Sequence, residues 1–232
     1  MAEDNHHLEM VLASKIIIGA VIFSPCLITT TYIMSVISHD VEPFWPYISY
    51  TGNRPNESCI FSLGFNLISA IYILIVFLRT RWNATSAVFG VMGAIGLSMT
   101  GCFQQQNFSV CHYIGLALCV LGTYVYMIYQ TMFSYFFMTP QWLKNARLAL
   151  TVLATLTNLI STLFSIVSHF MEPEHYHWVS ASPKQNHWMT SVKAMLEWIL
   201  FFINLSYFAL FYSDFKYITL KRDRITFLEG IN

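Results

Sequence analysis

Charge is what this 232-residue sequence has least of. Its 12 basic and 12 acidic residues make up 10% of the chain, against about 25% in ordinary soluble domains. A soluble fold of this size could not cover itself with so few, because a water-facing surface needs Lys, Arg, Glu and Asp interspersed over it. The two signs cancel, so the basic footprint of nucleic-acid binding is missing and no nucleic-acid partner is expected. Cysteine is also scarce. Five residues without any CxxC spacing exclude a disulfide scaffold or zinc ribbon by pattern. Nucleophile elbow, Walker loop, kinase signature and HExxH helix are all absent, and neither a catalytic residue nor a cofactor is expected.

What is abundant is hydrocarbon. Apolar residues reach 56% and the mean hydropathy is +0.53, a composition that makes sense with lipid as the solvent. A helix needs about 20 mostly apolar residues to cross the hydrocarbon core. Charge-free runs supply six such segments, at about 16–38, 58–78, 85–103, 109–133, 148–171 and 188–212. The cluster Gln104-Gln105-Gln106-Asn107 marks the hairpin between the third and fourth. The first run is longer than the roughly 7–15 residues of a signal-peptide core and follows an acidic start, so it is expected to be a retained helix. Only helices or closed barrels satisfy backbone polar groups in lipid, so the expected class is all-α: one polytopic six-helix bundle over residues 1–232.

Lysine and arginine orient the bundle. Lys15, Arg79, Arg81, Lys144, Arg147, Lys216, Lys221, Arg222 and Arg224 fall on one side, and Arg54, Lys184 and Lys193 on the other. Nine against three predicts both termini in the cytosol. Two glycosylation sequons, at Asn56 and Asn107, then face the lumenal or extracellular side. Those at Asn83 and Asn204 fall on the cytosolic side and within a helix. Gly90, Gly93 and Gly96 on the third span, with Gly115, Cys119 and Gly122 on the fourth, predict faces where backbones approach closely.

Ionisable residues in a membrane are costly and are candidates for function. Glu197 stands about 13 Å inside the outer edge of the sixth span, from the helical rise, and Lys193 is one turn away on the same face. A ligand or catalytic role stands against a structural one, either a salt bridge or a hydrogen bond to a neighbouring helix. His112 could meet Gln104, Gln105 or Glu57 at the outer face, either to bind a polar head group or to anchor helix ends. Gln130 fits interhelical hydrogen bonding better than ligand binding. Cys59, Cys102 and Cys111 share the outer side, where one disulfide among them could form in an oxidising compartment. The loop with Glu172, Glu174, His175 and His177, flanked by His169 and His187, matches no zinc signature. It is expected to be solvated and metal-free. Tyr217 and Leu220 form a Tyr-x-x-Leu pattern that either sorts proteins to endosomes and lysosomes or simply continues the last helix.

Several segments together resemble the DNA-damage-regulated autophagy modulators, the DRAM family. They begin with Pro46-Tyr47-Ile48-Ser49, Thr51-Gly52 and Glu57-Ser58-Cys59-Ile60-Phe61 in the first loop. Phe103-Gln104, His112, Gly115, Gly122, Tyr126 and Gln130-Thr131 follow, then Arg147-Leu148, His177-Trp178, Glu197-Trp198 and Asp214-Phe215-Lys216. The likeness covers nearly the whole chain in one order, and departs from it with Tyr50 for a common aspartate and Cys102 for a frequent asparagine. It implies a six-helix protein of lysosomal or endosomal membranes that promotes autophagy, with plasma membrane or Golgi and ER as other compartments. It also implies membrane lipids and membrane proteins of the autophagy or lysosomal machinery as partners. Distant kinship follows with proteins of GPI-anchor lipid remodelling and of phosphoinositide regulation. Three functions stand against one another: a non-enzymatic autophagy regulator, a lipid-binding or lipid-remodelling protein built on Glu57, Gln104, His112 and Glu197, and a proton-coupled small-solute transporter using Glu197.

Overall fold

In the computed structural model, which describes residues 2–79, 84–136, 139–171 and 188–229, every long apolar run is a helix. The order is α1 (Ala2–Ile37), a short 3-10 turn η1 (Ile48–Gly52), α2 (Pro55–Arg79), α3 (Ala84–Cys102), α4 (Ser109–Phe136), α5 (Gln141–Met171) and α6 (Trp188–Glu229). Six of these are long and apolar enough to cross a membrane, and no strand occurs among the described residues. Each helix packs on its neighbours in sequence, and α1 also packs on α6, which closes the ring. Leu63, Phe77, Leu121 and Leu159 point outward, as a lipid-facing surface requires.

Three of the predicted spans begin or end well away from the helices that hold them, the first because its helix starts at Ala2 rather than near 16. The fifth helix starts at Gln141 rather than near 148, because Lys144 and Arg147 lie inside it and a charge-free criterion cuts it short. The sixth runs on past 212 to Glu229, with its apolar part at Thr190–Phe215. The backbone of α6 therefore continues through Tyr217 and Leu220, whose side chains lie outside the described residues. Asn83 and the histidine-rich segment 172–187 also lie outside them.

The closest approach is between α3 and α4. A Cβ on Gly96 would sit 2.2 Å from the backbone nitrogen of Cys119, and one on Gly122 would sit 2.4 Å from that of Gly93. Only hydrogen fits there, as the spacing of small residues implies. Between α2 and α3, side chains reach across to main chain: Ser69 donates to Ala94 O at 2.7 Å and Ser62 to Gly101 O at 2.6 Å.

The helix α1 stops with a Schellman motif. Asp40 N–H returns to Ser35 O at 2.9 Å, His39 N–H to Val36 O at 3.1 Å, and His39 takes φ 60°. The chain then bends over the top of α6. Tyr32 donates to Pro43 O at 2.6 Å, Trp198 Nε1 donates to Pro46 O at 2.9 Å, and Trp45 lies edge-on to Trp198 at 6.5 Å. Trp45 is held at φ 48°, a left-handed conformation that costs a bulky residue roughly 1–3 kcal/mol. This aromatic strap delivers η1 to the mouth of the bundle.

Candidate functional site

The turn η1 is a plug. Ile48, Thr51 and Gly52 are buried among four helix ends. A Cβ on Gly52 would lie 2.4 Å from the Phe61 ring, so the turn needs glycine there to seat on α2. A short non-helical turn carries backbone groups that lipid or a dry core would leave unpaired. The surrounding helices supply partners for them. Glu197 Oε2 accepts the Ile48 amide at 3.1 Å, with the Ser49 amide beside it. Ser35 donates to Thr51 O at 2.9 Å, and the Thr31 and Thr51 hydroxyls meet at 3.1 Å. From the α3–α4 hairpin, Gln105 N–H donates to Asn53 Oδ1 at 3.1 Å, and Gln105 Oε1 accepts from Ser49 Oγ at 3.0 Å.

The predicted residues lie around this plug without converging. Glu57, fully buried in the first turn of α2, lies 3.5 Å from Ser35 Oγ and neighbours Asp40, which Arg54 faces at 3.4 Å. A carboxylate at a helix N-terminus also meets the positive end of the helix dipole. His112 binds the carbonyl of Phe103 through Nδ1 at 2.7 Å, rather than Gln104, Gln105 or Glu57, and its Nε2 is buried without a partner. Gln104 takes part only in its own turn, accepting from Asn107 at 3.4 Å. Gln105 is the hairpin residue that reaches the plug, and its Nε2 continues to Tyr113 Oη at 2.6 Å. Glu197 turns one carboxylate oxygen to the first loop, where it receives the Ile48 amide. Burial, then the neighbouring Tyr113 and Glu197, push the Tyr50 hydroxyl up to about 12, so it stays a donor at physiological pH.

All five cysteines are free thiols. Cys59 donates to Pro55 O at 3.3 Å within its own helix, and Cys102 accepts from Asn66 at 3.1 Å. Asn56 and Asn107 are both exposed at the plugged end. No group of three or more metal-ligating side chains occurs among the described residues.

The opposite end holds a cluster whose two arginines sequence reasoning counted as loop charge and whose Gln130 it read as interhelical hydrogen bonding. Arg79 at the end of α2 and Arg147 in α5 both reach Asp214 Oδ2 on α6, the first at 2.5 Å. Gln130 of α4 joins them. Its Oε1 accepts from Arg79 Nε at 3.1 Å and from Nη2 at 2.7 Å, while its Nε2 donates to Ser86 of α3 at 3.4 Å. Phe211 lies under both guanidiniums, 4.5 Å from Arg79 and 5.9 Å from Arg147. Five helices thus meet on one carboxylate and one amide. A charge buried in a helical span as deeply as Arg147 was the available signal, but placing the span after it hid that. A small cavity between α4, α5 and α6, with Thr123, Asn158 and Asn204 in its wall, shares no residue with either cluster.

The Glu197 bond to the plug carries a prediction. Glu197→Ala leaves a buried amide unpaired, a loss of about 1–3 kcal/mol. Amide exchange in residues 47–53, followed by mass spectrometry, is expected to rise by about fivefold to a hundredfold, the factor that such a loss corresponds to. Glu197→Gln keeps an acceptor and should fall between. Unchanged exchange in the alanine variant would remove Glu197 as the clamp.

Six apolar helices in a closed ring, with polar clusters at both ends, define a multi-pass membrane protein. Residues 13–218 match the family described as Frag1/DRAM/Sfk1/Cwh43P N-terminal domain, and the chain belongs to that family. It is 29% identical over 119 residues to DNA damage-regulated autophagy modulator protein 2 of Rattus norvegicus, covering 45% of each chain. To DNA damage-regulated autophagy modulator protein 1 of Mus musculus it is 29% identical over 188 residues, covering 69% of this chain and 79% of the other. To Transmembrane protein 150A of Xenopus laevis it is 30% identical over 139 residues, covering 54% and 51%. The alignment thus spans about half the length of several of these relatives, 45% for the rat protein. No solved structure matches.

Proposed function

We propose that this chain modulates autophagy from a lysosomal or endosomal membrane, as a regulator and not as an enzyme. The observation that carries it is membership of the family over residues 13–218, with relatives whose names make them autophagy modulators. Both termini face the cytosol in this proposal, on the lysine and arginine bias, and the exposed Asn56 and Asn107 face the lumen where they can carry glycans. Membrane lipids and membrane proteins of the autophagy machinery are its proposed partners. Cells lacking the gene are expected to show reduced autophagic flux under starvation and genotoxic stress, measured as turnover of lipidated autophagosome marker with and without lysosomal inhibition. Unchanged flux under both stresses would sink the proposal.

A second reading, lipid handling at the plugged end, is favoured by two polar atoms there, Asn53 Nδ2 and His112 Nε2, that are buried without a partner. Such atoms mark places where a hydroxyl or head group could be received. This reading expects lipid to co-purify with the protein and cellular lipid profiles to change in His112→Ala and Glu197→Ala lines. If neither occurs, it fails.

A further inference from the structure

The cavity between α4, α5 and α6 combines a small size with a mixed wall. Its volume is about 20 Å³, and a cavity of roughly 10–15 Å³ already holds one water-sized group. Thr123 lines it from α4, Asn158 from α5 and Asn204 from α6, while Met127, Ala154 and Leu200 make much of the rest apolar.

The polar side chains are only partly used. Asn158 Nδ2 donates to Ala154 O at 2.9 Å, and Asn204 Nδ2 donates to Leu200 O at 2.8 Å, each one turn back on its own helix. A carbonyl can only accept, so these bonds fix which end of each amide is nitrogen. Each asparagine keeps its carbonyl oxygen and its second N–H, neither of which bonds another side chain among the described residues. Thr123 gives its hydrogen to Cys119 O at 2.7 Å and keeps the lone pairs of its oxygen. The wall therefore shows acceptors and donors together, and it carries no charge. A group that both donates and accepts fits such a wall, and the smallest is a hydroxyl.

The setting makes an occupant worth having. No Asp, Glu, Lys or Arg stands within six residues of Thr123, Asn158 or Asn204 in the sequence. Polar atoms left without a partner in apolar surroundings cost free energy that a bound hydroxyl restores. All three residues are half-buried, so the cavity can be reached between the helices.

We propose that Thr123, Asn158 and Asn204 form a binding site for one hydroxyl group. Its source is either a water molecule held inside the bundle or the alcohol of a membrane lipid whose apolar body lies outside the cavity. The site shares no residue with the plug, so it stands whether or not lipid is handled there.

The test uses the purified full chain in phosphatidylcholine nanodiscs. Met127 lines the cavity and is 3% exposed, so bulk water does not reach it. Radiolysis turns bound water into hydroxyl radicals, and mass spectrometry then reads oxidation of Met127. A held water is expected to give clear labelling. In Asn158→Leu/Asn204→Leu the label should fall about tenfold, because a fully apolar cavity of this size stays dry. A lipid alcohol is read by thermal unfolding instead, with cholesterol or diacylglycerol added to the nanodiscs. Either alcohol is expected to raise the midpoint by several degrees. Its O-methyl ether, which keeps the body and loses the hydrogen, should not, and the double variant should answer to neither. Labelling without an alcohol response assigns water, and an alcohol response assigns the lipid. If the double variant does not fold, Asn158→Leu and Asn204→Leu singly take its place. The site is overturned if no alcohol outperforms its ether and Met127 labelling is either missing or the same in native and variant chains.

Discussion

Asp214→Ala, measured by thermal or denaturant unfolding in detergent, is expected to lose about 3–5 kcal/mol of stability, the usual cost of stripping one partner from a buried ion pair. The carboxylate touches guanidiniums from two other helices, and both would lose their contact with it. Removing the whole set is expected to hurt less. A chain carrying Arg79→Leu, Arg147→Met and Asp214→Leu has no stranded charge, and well-packed apolar replacements of buried ion networks are often neutral or better. The order of stability should therefore be native, then triple variant, then Asp214→Ala. If the triple variant proves the least stable, the arginines contribute packing that outweighs their charge.

Gly96→Leu has a second large expected effect, of different origin. Its Cβ would fall 2.2 Å from a backbone atom of α4, which cannot yield as a flexible side chain would. Overpacking a filled site costs typically 1–3 kcal/mol, and here whole helices must part, breaking the α3–α4 contact along its length. The expected result is loss of the monodisperse folded species on size exclusion, or a midpoint lowered well beyond that of a control. Gly19→Leu is that control: nothing lies within 4 Å of a Cβ at Gly19, so its stability should stay within about 0.5 kcal/mol of native. Equal behaviour of the two variants would mean that α3 and α4 do not pack as closely as described.

The bundle was legible in the sequence because membrane crossing is a local property. Twenty apolar residues announce a helix whatever surrounds them, and small residues at helical spacing announced the α3–α4 face through Gly93, Gly96 and Gly122. The sites were legible only as residue types. Glu197 stood out as a carboxylate in a span, but its partner is a main-chain amide in the first loop, and a backbone donor has no signature in sequence. The arginine cluster was hidden by its own success as a topology signal. Arg79 and Arg147 were counted among loop charges, and that placed the fifth span after Arg147, seven residues later than the helix begins. Pairing to Asp214 joins positions 135 and 67 residues apart, which no periodicity can reveal.

The ring of helices closes between α1 and α6, and this bears on how the chain is made. During synthesis the first loop emerges long before Glu197, which lies 149 residues further on from the amide it receives. Until the sixth helix enters the membrane, that amide has no carboxylate and the two arginines have no Asp214. Insertion of the last helix thus completes both ends in one event, because it brings Glu197 to the first loop and Asp214 to the two arginines.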